Sequence, residues 1–389
     1  MKYALIDRFL AIRNHTVKIC EPLQIEDYVA QPIVDVSPPK WHLAHTTWFF
    51  ETFVLKVLPE YDVFDEQFNY LFNSYYNNIG ERVSRHSRGD ITRPGVERIL
   101  EYREHVNDQM VLFMELLSQV EYEKWMPIIE LGLQHEQQHQ ELLWSDLKYI
   151  LGISPMFPVY ADINPIDGVL EKCDMGFVSI KEGIYEIGHK GDDFCFDNEL
   201  SRHKVFVADF EIADRLVTNE EFMEFVESGA YADFNLWHDE GWAWLQENEI
   251  DSPLYWRHIN GGWFEFSLTG LEEIDPHKAV THISYYEAWA YAEWKGMRLP
   301  TEFEWEIASD KFEWGHRWEW TNSAYLAYPG YNKAEGAIGE YNGKFMISQM
   351  VLRGASVATS PNHSRHTYRN FWHPHNQSQF TGIRLAKRN

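Results

Sequence analysis

The uneven placement of helix breakers constrains the fold of this chain more than any other feature. Up to about residue 150 glycine is sparse, and prolines fall between long uninterrupted runs. Tyr3 to Asn14, His42 to Val57 and Ile128 to Leu151 each read as helix, the last ending at Gly152 and Pro155. Val106, Met110, Phe113 and Leu117 recur at spacings of four, three and four, which makes one apolar helical stripe. Thr92-Arg93-Pro94-Gly95-Val96-Glu97 reads as the start of that helix, with Thr92 as cap. Four helices of this kind predict a bundle.

The texture then changes. Pro155, Pro158, Pro165 and Gly168 mark a linker, taken as 156–172, between a helical domain over 1–155 and a second domain over 173–389. In the second half glycines become frequent. Strands look short, as in Val178-Ser179-Ile180, Val205-Phe206-Val207 and Val351-Leu352-Arg353. Two short helices carry capping boxes, Thr218 with Glu221 and Ser284 with Glu287. The whole is α+β, and 389 residues suit about two domains.

Composition excludes several classes of function. The formal net charge of −26 repels phosphate backbones and anionic bilayers, so neither nucleic acid nor a membrane surface is an expected partner. No apolar stretch is long enough for a membrane span, and Met1 to Asn14 lacks a signal-peptide core. Cys20, Cys173 and Cys195 are too few and too scattered for a disulfide scaffold, which points to a reducing, cytoplasmic setting. Aromatic residues reach 16%, enough to line pockets that bind small molecules.

The run His135-Glu136-Gln137-Gln138-His139 carries the chemistry. Residues four apart share a helix face, so both imidazoles reach one ion. Glu141 follows His139 by two residues, about 200° around a helix, and points away, as does Glu136. The third ligand therefore comes from another helix, and Trp41-His42-Leu43-Ala44-His45 offers either His42 or His45. Three protein ligands leave positions open, as in a catalytic metal site. Imidazole suits zinc, iron, copper and nickel alike, so ligand type does not choose the metal. The same run matches His-Glu-x-x-His, in which Glu136 would be the base of a zinc hydrolase.

Taken together, residues 41–45 and 135–141 resemble a DinB-like metal-binding bundle. The second half resembles the formylglycine-generating-enzyme/sulfatase-modifying domain, a C-type-lectin-like fold. The resemblance rests on Arg298-Leu299-Pro300-Thr301-Glu302-Phe303-Glu304-Trp305-Glu306, Trp318-Glu319-Trp320-Thr321, Val351-Leu352-Arg353-Gly354-Ala355-Ser356 and Gly382-Ile383-Arg384-Leu385-Ala386. This domain order is similar to that of the Fe(II)- and O2-dependent sulfoxide synthases of ergothioneine biosynthesis, an order shared by the ovothiol and selenoneine enzymes. The resemblance implies that a thiol is joined to C2 of the imidazole of hercynine (Nα-trimethylhistidine), with oxygen consumed.

Residue by residue, the resemblance implies His45, His135 and His139 as iron ligands, selecting His45 over His42. It implies Gln138 and Asn370 as polar contacts to hercynine, and Phe371 and Trp372 as aromatic faces for its trimethylammonium group. Tyr75 and Tyr76 resemble a tyrosine pair, one hydroxyl of which donates to the activated oxygen. Arg82, Arg85 and Arg88 match arginines that bind the thiol substrate's carboxylate. Trp372 stands where the γ-glutamylcysteine-using branch carries an aspartate, which favours free cysteine. Tyr341 lies near the other branch's tyrosine. The copper-binding cysteines of formylglycine-generating enzymes have no match. γ-Glutamylcysteine, histidine or a selenosugar remain alternative substrates, a noncatalytic lectin-like module is a further reading, and a homo-oligomer is left open.

Overall fold

A computed structural model describes residues 2–74, 76, 79–168, 174–333 and 342–388. They form two compact units, one built within Met1–Ala161 and one from Asp162 onward. The first is helical: α1 (Lys2–Cys20), α2 (Pro39–Phe50), a short α3 (Phe68–Phe72), α4 (Val96–Leu116) and α5 (Gln119–Gly152).

Every residue of α2 is buried, polar ones included. It therefore runs through the middle of the unit, packed against α3, α4 and α5. Its buried Lys40 ammonium is satisfied by the carbonyls of Ile91 and Pro94 at 2.6 and 3.0 Å. After Phe50 the backbone widens over Glu51–Leu55 into a π turn, where Lys56 N donates to Glu51 O at 2.8 Å. The Glu51 carboxylate receives the hydroxyls of Tyr61 and Tyr102 at 2.7 and 2.6 Å, which pins that turn.

Helix α5 begins earlier than the sequence suggests. Ser118 and Glu121 form a reciprocal capping box, and Pro127 lies inside the helix. Pro127 is exposed, so water can satisfy the carbonyl one turn back that its missing N–H leaves unpaired. The N-cap of α4 is Gly95, and Thr92 caps nothing there. The buried stripe of α4 runs through Ile99, Tyr102, Val106, Met110 and Met114, with Phe113 only half-buried. Gly132 lets α5 approach α2 closely: a Cβ there would lie 2.6 Å from the Phe50 ring and 2.9 Å from that of Phe49.

The second unit mixes short strands and helices. Its first strands are β1 (Phe177–Ile180), β2 (Gly183–Ile187), β3 (His203–Val207) and β4 (Phe210–Ala213). Helices α6 (Asn219–Glu227) and α7 (Asp239–Asn248) precede a meander of β5 (Trp256–Ile259), β6 (Gly262–Ser267) and β7 (Gly270–Glu273). Then come α8 (Tyr285–Trp294), α9 (Glu302–Ala308), β8 (Trp318–Ala324), β9 (Met350–Gly354), β10 (Asn370–Trp372) and β11 (Thr381–Gly382). β1 pairs with β4 and β2 with β3, both antiparallel. The largest sheet among the described residues runs β10-β9-β8-β11, with β11 parallel to β8.

The motifs that carried the resemblance are largely buried ion pairs. Glu302 accepts from Arg369 at 2.8 Å, Glu306 pairs with Arg353, and Glu304 takes Arg298 at 2.7 and 2.8 Å. Glu319 receives both Arg384 and the Trp305 indole N–H at 2.6 Å. Arg353, Arg369 and Arg384 are buried with their carboxylates, which is the condition for placing such charges inside a core, whereas Arg298 is only half-buried. The carboxyl-terminal tail closes the unit, Ala213 N donating to Leu385 O at 2.8 Å and Arg298 N to Ala386 O at 2.9 Å. No helix among the described residues is long and apolar enough to cross a membrane.

Candidate metal centre

The α2–α5 contact brings His45, His135 and His139 together, with one ring nitrogen of each lying within 4.8 Å of the others. Among the described residues this is the one such group of histidine, cysteine or carboxylate side chains. Ring centroids are 5.0 Å apart for His45–His135, 4.8 Å for His45–His139 and 4.6 Å for His135–His139. All three are buried. Burial holds His45 and His139 well below the usual histidine range, with the neighbouring imidazoles adding to the effect. Burial also draws His135 down to about 3 against the opposing pull of Glu136. Neutral imidazoles are the form that ligates a metal.

The donor set fits a divalent transition metal. His45 Nδ1 lies 2.6 Å from the Phe72 carbonyl, so Nδ1 carries the hydrogen and the lone pair is on Nε2. That Nε2 is buried and has no hydrogen-bond partner among the described residues. Such an atom is costly unless something binds it.

Glu136 does not belong to this cluster. Its carboxylate is bound by Arg13 at 2.8 Å, by Arg103, and by the Thr16 hydroxyl at 2.6 Å, and all four side chains are buried. Burial alone would raise its pKa, but Arg103 and Arg13 outweigh that and hold it at about 2. Both oxygens are engaged away from the histidines, so the base that a zinc hydrolase needs is absent from this His-Glu-x-x-His run.

The other expected site residues are distributed as follows. Arg88 is buried, donates to the Ser37 and Ser74 hydroxyls at 2.9 Å each, and lies 3.4 Å over the Trp41 ring. Trp41 in turn stacks on His45 at 4.4 Å. Arg82 and Arg85 are exposed, and Arg85 pairs with Asp35 at 3.5 Å. The structure therefore brings only Arg88 of the three toward the histidines. Tyr76 is buried against Phe53 and against Trp48, which itself stacks on His45. Tyr75 lies outside the described residues, as do Tyr341 and Cys173. Gln138 is half-buried on α5 beside His139.

In the second unit Asn370, Phe371 and Trp372 make up β10, all half-buried, with Asn370 opposite Leu352 in the register. Phe371 stacks on Tyr325 at 4.1 Å and faces Phe345 at 5.8 Å.

Sequence reasoning missed Asp146 here and weighed His42 only as an alternative ligand. His42 Nδ1 lies 2.9 Å from His139 Nδ1, and His42 Nε2 lies 2.9 Å from Asp146 Oδ2. Asp146 follows His139 by seven residues, two helical turns along the same face, and that spacing was the available signal.

Known proteins agree with this division. The DinB superfamily model matches residues 8–143, and the model of the sulfatase-modifying factor enzyme 1-like domain matches residues 170–316. A hercynine oxygenase of Mycobacterium tuberculosis is 28% identical over 309 residues, spanning 67% of this chain and 71% of that protein. One from Mycolicibacterium thermoresistibile is 30% identical over 253 residues, 50% of this chain and 54% of that one. A formylglycine-generating enzyme of Streptomyces coelicolor is 30% identical over 173 residues, covering 41% of this chain and 55% of its own length. The chain is a homologue of the hercynine oxygenases, a DinB-type helical domain followed in sequence by a sulfatase-modifying-factor-like domain.

Proposed function

We propose that this protein is a non-haem Fe(II)- and O2-dependent sulfoxide synthase that joins the sulfur of cysteine to C2 of the hercynine imidazole. The observation that carries the proposal is the buried all-histidine triad, His45, His135 and His139, with no carboxylate in the group among the described residues, in a homologue of hercynine oxygenases. The reaction balances with one O2 per turnover. The C2–H and S–H bonds break, a C–S bond forms, sulfur takes one oxygen atom, and the other leaves as water.

Iron held by the three histidines would supply one-electron chemistry toward O2 and a common anchor for the two organic substrates. The protein residues do the rest. The burial of the three histidines excludes bulk water from them, which protects the reaction from leakage. Arg88 offers a guanidinium held by two serines and the Trp41 ring, a rigid partner for the cysteine carboxylate, with Arg82 and Arg85 on the same segment further out. The Tyr76 hydroxyl is the proposed proton donor, sharing that role with Tyr75. Gln138 and Asn370 take the polar groups of hercynine. Phe371 and Trp372 take its trimethylammonium group, a cation that cannot accept or donate hydrogen bonds and is recognised by aromatic faces. Free cysteine is favoured over γ-glutamylcysteine because Trp372 replaces a carboxylate that would hold the glutamyl ammonium group. We also assign domain limits of 1–155 and 173–389 and a cytoplasmic setting.

The test is a substrate matrix read by mass spectrometry: cysteine, γ-glutamylcysteine and a selenosugar, each against histidine and hercynine. Sulfoxide from cysteine and hercynine, in excess over every other pair, is expected. Turnover of histidine in preference to hercynine would sink the assignment.

A further inference from the structure

Resting on the metal reading above, we infer that Asp146 and His42 form a positioning relay that presents Nε2 of His139 to the metal. On α5 the residues His135, His139 and Asp146 recur at spacings of four and seven, which puts all three on one stripe. Facing them, α2 supplies His45 and His42. The relay is continuous: His139 Nδ1 to His42 Nδ1 at 2.9 Å, then His42 Nε2 to Asp146 Oδ2 at 2.9 Å. Asp146 Oδ2 also accepts the Ser37 backbone N–H at 2.8 Å, which ties it to the chain entering α2. Asp146, His42 and His139 are 3%, 1% and 8% exposed, so water does not compete for these bonds.

The directions of these bonds follow from elementary chemistry. A carboxylate only accepts, so His42 donates Nε2–H to Asp146. With His42 neutral its lone pair is on Nδ1, and His139 donates Nδ1–H to it. That leaves the His139 lone pair on Nε2, the same tautomer that the Phe72 carbonyl imposes on His45. Two of the three ligands are thus oriented by separate acceptors, one a backbone carbonyl and one a charged side chain acting through a second histidine. Both His42 nitrogens are engaged in the relay, which is why His42, although equally close in sequence, is the supporting residue and His45 the ligand.

The test uses the full-length chain and Co(II), whose affinity is read by competition with a chromophoric chelator and whose d–d bands report ligand geometry. Asp146→Ala and His42→Phe should each weaken Co(II) by roughly 10–100-fold with altered bands. Asp146→Asn should restore most of the affinity, because its amide oxygen still accepts from His42 and Ser37. The double variant should be no weaker than His42→Phe alone, because Asp146 acts through His42. Nitrogen-15 NMR of the metal-free protein should find the Nδ1–H tautomer at His139. Affinities within twofold of the parent, losses that add in the double variant, or an Nε2–H tautomer would overturn the relay. Should His42→Phe not fold, the Asp146→Ala and Asp146→Asn pair decides. His135→Ala separates the two readings. If it binds Co(II) like the parent, the metal site itself fails and the relay falls with it. If it loses Co(II) while Asp146→Ala and His42→Phe keep it, only the relay fails.

Discussion

Replacing Glu136 with glutamine discriminates sharply between the two chemistries that the His-Glu-x-x-His run permits. In a zinc hydrolase this residue is the base, and the amide would abolish turnover while leaving stability unchanged. Here Glu136 is a buried counter-ion held by Arg13, Arg103 and Thr16. Its pKa falls from 4.5 to about 2, which corresponds to roughly 3 kcal/mol at 1.36 kcal/mol per pH unit. Breaking one side of a buried pair typically costs about 3–5 kcal/mol. The two guanidiniums repel each other, and burial together with Arg103 draws Arg13 down to about 10, so the lower end applies. For a unit of this size roughly 3 kcal/mol lowers Tm by about 6–12 °C. The folded-state pKa is depressed, so the contribution is complete above about pH 4.5 and is lost as pH falls toward about 2. Calorimetry of metal-free parent and Glu136→Gln at pH 7 should give that difference, and it should shrink below pH 4.5. A variant as stable as the parent but catalytically dead would refute the ion-pair account.

Other outcomes follow from particular contacts. Gly132→Ala should destabilise by about 1–2 kcal/mol in urea, because the clash with Phe49 and Phe50 outweighs the gain in helix propensity; a more stable variant would mean the close approach is not needed. Tyr76→Phe should divert turnover from sulfoxide toward oxidation of the thiol, and an unchanged product ratio removes this hydroxyl from the mechanism. Arg88→Ala should raise the KM for cysteine and also weaken metal binding through Trp41 and His45, whereas Arg85→Ala should change KM alone; equal effects on metal affinity would contradict the stacking argument. Phe371→Leu or Trp372→Leu should weaken hercynine more than histidine in substrate titrations, and equal losses would remove the cation from that site.

What could be read in the sequence depended on periodicity and on local capping. The two capping boxes at Thr218 and Ser284 sit where predicted, each closed by the glutamate three residues on. The same signal at Ser118 and Glu121 was hidden because Pro127 looks like a stop, yet an exposed proline in a long helix leaves a carbonyl that water can satisfy. Helix α2 shows no amphipathic stripe because it is buried on every side, so its polar residues gave no indication of which face they occupy. The His135–His139 pair was legible as a four-residue spacing. Choosing His45 over His42 was not, since both lie within one turn and only the cross-helix bonds to Phe72 and Asp146 tell them apart. Likewise the glutamates and arginines from Arg298 to Arg384 look like surface charge, and pairing across distant strands is what puts them in the core.

Three histidines of the helical domain are proposed to hold an iron that couples oxygen to carbon–sulfur bond formation. The most direct measurement is oxygen uptake after anaerobic reconstitution with Fe(II) or Zn(II), in the parent and in His135→Ala. Uptake that requires Fe(II), hercynine and cysteine together, matches sulfoxide one to one, and vanishes in His135→Ala is the predicted result. Undiminished uptake by His135→Ala, or activity supported by Zn(II) without oxygen, would contradict it.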